Sequence, residues 1–228
     1  MNFQTPNPAR PARAAGFSLI ELLTVIAIIS ILMTVGAIGI GSILGGKSTT
    51  SAVTTVESLF DEARSTAVGK RTKTRILVDI SDPKNQATYL RRVLIAYEEL
   101  DDNGDPKTDS WTLANRGVVL PDQTFFSRDF SKKNQESGAE LQEMSLSNVG
   151  RDFVGSYLYY EFNGEGICST PGASFIVGTG AREIGAAKPR VTGSAKRDFG
   201  GFVVWRNGRT SLFRSPDQMN LPKDVVNF

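Results

Sequence analysis

The stretch Gly16-Phe17-Ser18-Leu19-Ile20-Glu21-Leu22-Leu23, continued by TVIAIISILMTVGAIGIGSILGG to Gly46, decides how this chain is read. No charged residue occurs from Leu22 to Gly46. Leu22 to Ile43 is 22 residues, roughly 33 Å as a helix at ~1.5 Å per residue, which matches the ~30 Å hydrocarbon thickness of a bilayer. The segment is expected to insert in a membrane. Arg10 and Arg13 precede it without an acidic neighbour, which places that flank on the cytoplasmic side by the positive-inside rule. Glu21 breaks the pattern, because a carboxylate at the start of an apolar span is costly unless a cation meets it.

Residues 1–16 contain three prolines, which remove donors and clash with preceding carbonyls, so no stable helix is expected there. A cleaved secretory signal would have an apolar region of ~7–15 residues followed by a small-residue cut site. Here the small residues Ala14-Ala15-Gly16 come before the apolar run, and Gly45-Gly46-Lys47-Ser48 comes after it.

Glycine, aromatic, short spacer, glutamate and long apolar run, in that order from Gly16 to Gly46, resemble the class III signal of type IV pilins and type II secretion pseudopilins. The resemblance implies cleavage by a prepilin peptidase after Gly16, N-methylation of Phe17 and an assembly role for Glu21. It also implies as partners other pilin or pseudopilin subunits, an inner-membrane assembly platform with its ATPase, and membrane lipid. The expected location is the inner membrane, single-pass with a periplasmic C-terminal domain, and then an extracytoplasmic filament in the periplasm or at the cell surface. In a bundle of such helices the Phe17 ammonium of one subunit would neutralise Glu21 of its neighbour. Removing one partner of a buried pair costs about 3–5 kcal/mol, so the pair would set register. Two rival readings are a minor pilin that binds DNA and a membrane-anchored periplasmic protein that does not polymerise.

The whole chain has 228 residues, 40% of them apolar, and a net charge of +2, so no global field points to nucleic acid. It has no histidine, which excludes Ser-His-Asp and Cys-His catalysis and every His-ligated metal site. Cys168 stands alone, so neither an intrachain disulfide nor a cysteine-rich zinc site can form. It reads as a small buried apolar residue. A structural subunit without cofactor, and no enzyme, is the expectation.

After Lys47, Val53, Val56, Phe60, Ala63 and Ala67 step by three and four along one face. Gly69 is the expected helix stop in the left-handed conformation. Gly41 and Gly45 have the GxxxG spacing of membrane helix pairs. From residue 73 the chain reads as strands: 73–80, a long second strand from Gln86 to Ala96, 118–120, 124–130, 157–162, 173–177, and a hairpin of 202–206 with 209–213 around Asn207-Gly208, a type I′ signal. The fold class is α+β: a long N-terminal α-helix whose second half packs on an antiparallel β-sheet, as in type IV pilin-like proteins. The expected organisation is leader 1–16, membrane and assembly half of the helix 17–46, amphipathic half 47–69 and globular β domain 70–228. Ser58–Ala67 with the following strand, Phe162-Asn163-Gly164-Glu165-Gly166 and Asn207-Gly208-Arg209 are similar to H-type minor pseudopilins and related minor pilins. Major pilins often close a C-terminal loop with a disulfide, from which a chain with one cysteine departs.

Two more stretches carry alternative readings. Asp101-Asp102-Asn103-Gly104-Asp105 reads as a calcium loop or as an acidic hydrated turn, and the EF-hand's distal glutamate is absent. Residues 182–214 carry eight basic residues, Arg182, Lys188, Arg190, Lys196, Arg197, Arg206, Arg209 and Arg214, with Phe199, Phe202, Trp205 and Phe213 among them. That is either a stacking and electrostatic surface for single-stranded DNA or aromatics facing the core under a solubilising basic face. Alternation in a strand favours the latter, with Trp205 and Arg206 on opposite faces.

Overall fold

Alternation between a three-to-four spacing and a two-residue spacing divides the chain as the physics requires. The computed structural model describes residues 19–192 and 198–228, and of residues 31–47 and Thr108 the backbone alone. Its helix α1 (Leu19–Lys70) precedes the strands. The chain falls into two compact units, one ending at Ile40 and the other Gly41–Phe228.

In the second unit the helix buries Ala52, Val53, Val56, Leu59, Phe60, Ala63 and Ala67, and leaves Thr54, Thr55, Ser58, Asp61, Glu62 and Arg64 exposed. The stop lies two residues beyond the one expected. Gly69 remains helical and Arg71 takes the left-handed φ of 55°. The Thr72 N–H donates to Ala67 O at 3.3 Å, the bond that closes a Schellman-type helix end.

The strands are β1 (Thr74–Asp79), β2 (Arg92–Leu100), β3 (Pro106–Leu113), β4 (Val118–Val119), β5 (Thr124–Phe126), β6 (Gln142–Leu146), β7 (Gly155–Phe162), β8 (Ala173–Thr179), β9 (Phe199–Val204) and β10 (Thr210–Leu212). All pair antiparallel. The architecture is α+β, with two sheets where one was expected. The first has order β3-β2-β1-β7-β6 with β4 on β2, and the second has order β10-β9-β8-β5. The chain enters the second sheet at β5, returns to the first for β6 and β7, and leaves it again through the Asn163–Gly166 turn and the loop to Gly172.

Both sheets share one core with the helix. Phe60 lies where they meet. Its ring is 5.1 Å from Tyr160 and 6.3 Å from Phe162 of β7. It is also 5.1 Å from Phe202 of β9 and 6.1 Å from Phe175 of β8. These edge-on contacts suit the aromatic quadrupole. The first sheet carries a second cluster of Leu77, Leu94, Ala96, Trp111, Leu146 and Tyr157, a consequence of strands such as β1 that are apolar at consecutive positions. Arg75 seals its edge, stacked 4.3 Å from Trp111 and 4.0 Å from Tyr159 and paired with Glu161 at 2.7 Å.

Other departures have local causes. Residues 86–91 form turns instead of strand, because the Asn85 carboxamide accepts the Ala87 and Thr88 N–H groups and Asn85 O accepts that of Tyr89. The last hairpin is not type I′. Only Gly208 has positive φ, with Gly208 N–H on Trp205 O and Trp205 N–H on Arg209 O, both at 2.8 Å. This is the longer hairpin connection with a glycine bulge.

Glycines let two turns press on the helix end. A Cβ on Gly164 would lie 2.7 Å from the carbonyl carbon of Arg71, and one on Gly208 2.6 Å from Arg64 Cδ. Arg64 Nε donates to Gly166 O at 3.3 Å between them. Phe60→Ala is expected to cost about 3–5 kcal/mol, read by denaturant unfolding of the protein in detergent. In the same assay Gly164→Ala is expected to cost about 1–3 kcal/mol, because the obstruction is backbone. Gly150→Ala, with only Phe153 Cδ2 at 3.6 Å, should stay within about 0.5 kcal/mol.

Candidate functional site

Of the residues expected to carry function, Gly16 and Phe17 lie outside the described residues. Glu21 lies in the first turn of α1, where an acid favours the helix N-terminus. It is set among apolar side chains that are exposed on every side of the helix, from Leu19 at 78% to Ile29 at 45%, including Leu22, Leu23, Val25, Ile26 and Ile28. The two hydroxyls of this stretch turn back on the helix. Thr24 Oγ1 donates to Ile20 O and Ser30 Oγ to Ile26 O, each at 2.8 Å, which hides their polarity from an apolar surrounding. Among the described residues no helix is long and apolar enough to cross a membrane. The side chains of 31–47, which take in the second half of the expected span and the GxxxG pair, lie outside those described.

The acidic stretch 101–105 is the turn between β2 and β3. Asp101 N–H donates to Asp105 O at 2.8 Å, and Asp101 Oδ1 accepts the Asn103 and Asp105 N–H groups at 2.9 Å each. The Asp105 N–H first, and Asn103 with it, hold the Asp101 carboxyl below its ordinary value. Among the described residues no three acidic or cysteine side chains gather in a metal-holding group.

The basic stretch 182–214 does not form one surface. Arg182 is buried and spends its guanidinium on the carbonyls of Pro83, Asn85 and Ala186. Lys188 pairs with Asp129 at 2.5 Å. Lys196 and Arg197 lie outside the described residues, while Arg190, Arg206, Arg209 and Arg214 are exposed. Phe199 and Phe202 enter the core, but Trp205 does not. It is half exposed and donates from Nε1 to Ser211 Oγ at 2.8 Å. The reading of the aromatics as core therefore holds for the phenylalanines of β9 and fails at Trp205. The turn begins there, so strand alternation no longer applies and Arg206 is exposed beside it.

Cys168 is buried, 3.6 Å from Thr170 Oγ1, and burial pushes its thiol up from the ordinary value. The motifs 163–166 and 207–209, which the sequence links only by resemblance, meet on Arg64 of the helix.

Residues 11–37 match the family model for the prokaryotic N-terminal methylation motif. The motif is type IV prepilin-like and takes in Gly16, Phe17 and Glu21. Comparisons with curated proteins and with solved structures found no match.

The 101–105 turn generates a pH prediction. A carboxyl held low in the folded state stabilises the turn fully above its unfolded pKa, and the effect disappears as pH falls through the lower folded value. The Asn103 and Asp105 amide proton shifts should move together in acid, with a midpoint below the ordinary aspartate value. Millimolar calcium at neutral pH should leave both unmoved.

Proposed function

We propose that this chain is a structural subunit of a type IV pilus or type II secretion-like filament, made as a prepilin and assembled through its N-terminal helix. One observation carries the reading. A single carboxylate, Glu21, stands in the first turn of a helical stretch whose apolar side chains are exposed all round, inside a matched methylation motif. A helix apolar on every face needs an apolar surrounding other than its own domain.

In this reading a prepilin peptidase cuts after Gly16 and methylates Phe17, and residues 17–46 hold the subunit in the inner membrane. The amphipathic half 47–69 carries the β domain 70–228 on the extracytoplasmic side. An assembly platform and its ATPase then lift the subunit from the lipid into a helical bundle. There the Phe17 ammonium of one copy meets Glu21 of the next, which removes the cost of a carboxylate in an apolar medium. The role favoured is that of a minor, H-type-like subunit. The DNA-binding reading loses support because Arg182 and Lys188 are already engaged, and Phe199 and Phe202 are buried in the core.

The first test is the mass of the N-terminal peptide of protein purified from its own host. A methylated Phe17 terminus is the expected result. An intact Met1 in the presence of active peptidase overturns the reading. Glu21→Val should leave cleavage unchanged and reduce incorporation into filaments at least tenfold.

A further inference from the structure

We infer that the cavity beside Arg91 and Arg182 is a binding site for a small phosphate-class oxyanion. The cavity measures about 200 Å³ and is lined by Gln86, Arg91, Gln123, Phe125, Gly180, Ala181 and Arg182. Two arginines thus line one small space, and no acidic residue is among its lining residues.

Arg182 is 8% exposed. Its donors reach only backbone carbonyls, those of Pro83, Glu183 and Ala186 from one terminal nitrogen and that of Asn85 from the other. Tyr89 adds a ring 4.8 Å away. None of the ion pairs among the described residues includes Arg182. Carbonyl dipoles satisfy hydrogens, but they do not neutralise a full charge, and guanidinium does not escape by losing its proton. Burial pulls Arg182 below its ordinary value; Arg91 adds to the shift, while Tyr89 and Asp82 oppose it without cancelling it. The Nε atoms of both arginines are buried and have no hydrogen-bond partner.

Arg91 donates to Leu120 O at 2.8 Å, to Gln86 O at 3.3 Å and to Asp122 Oδ1 at 2.7 Å. The Asp122 side chain is 95% exposed, so water screens most of what it contributes. The site therefore keeps an excess of buried positive charge, for which an oxyanion is the complementary ligand. The remaining lining includes Gln86 and Gln123, which are neutral, and the apolar Phe125. A space this size suits an anion of a few heavy atoms and not a drug-sized ligand.

The full-length protein in detergent is titrated with sodium phosphate against sodium chloride at equal ionic strength, with the Gly180 and Ala181 amide shifts as readout. The expected result is a saturating shift that chloride does not produce. Arg91→Gln should weaken it at least tenfold, and Arg209→Gln should not change it. Asp122→Asn removes the exposed competitor of the anion and should tighten binding about threefold, which a merely structural ion pair would not do. Glycerol 1-phosphate is titrated in parallel: tighter binding than phosphate assigns a lipid headgroup, and equal or weaker binding assigns the free anion. A flat wild-type titration overturns the proposal. So does a response that survives in Arg91→Gln, or unchanged or weaker binding in Asp122→Asn.

Discussion

Phe60 stands where one helix face and two separate sheets have to close on each other. Tyr160 and Phe162 approach it from one sheet, Phe175 and Phe202 from the other. The helix thus contributes a ring that touches aromatics of both sheets. This explains why the buried face of α1 alternates small and large: Ala52, Ala63 and Ala67 admit the strands, while Phe60 fills the space they leave. The glycines of the 163–166 and 207–208 turns finish the same task at the helix end, where Arg64 reaches Gly166 O.

The helix meets two kinds of surrounding. Along its Leu19–Ser30 stretch apolar side chains are exposed on every side, Glu21 is the one charge, and the hydroxyls bond their own backbone. Between Thr49 and Ala67 only one face is buried. The pattern changes from none to three-to-four within one helix, and in the proposed function this matches a change from an apolar medium to a protein core with water opposite. The proposed assembly role of Glu21 follows from the first regime, and the fold of the β domain depends on the second.

Several polar side chains have structural partners, among them Asp101 of the stretch that reads as a calcium loop or an acidic turn. Asp101 closes a hairpin, Asn85 caps a turn, and Arg75 covers the edge of an outer apolar cluster. The arginine pair at 91 and 182 differs, since carbonyls and one exposed acid leave its charge largely unbalanced.

Much of this was legible in order of residues. The methylation motif, the buried stripe from Val53 to Ala67, β1, and the final hairpin all rest on short-range spacing, which sequence carries directly. β3 and β6 escaped notice because PKTDSWTL and QEMSL lack apolar alternation. Both are edge strands, paired on one side only, and edges favour polar residues and proline. The sequence by itself determined the class of helix, the strand-rich remainder and the exclusion of histidine chemistry and of an intrachain disulfide. Only the tertiary structure decided that the strands divide into two sheets, that Trp205 stays outside while Phe202 goes in, and that Arg91 and Arg182 line one cavity. Each of these depends on contacts between residues far apart in the chain, and no local spacing records them.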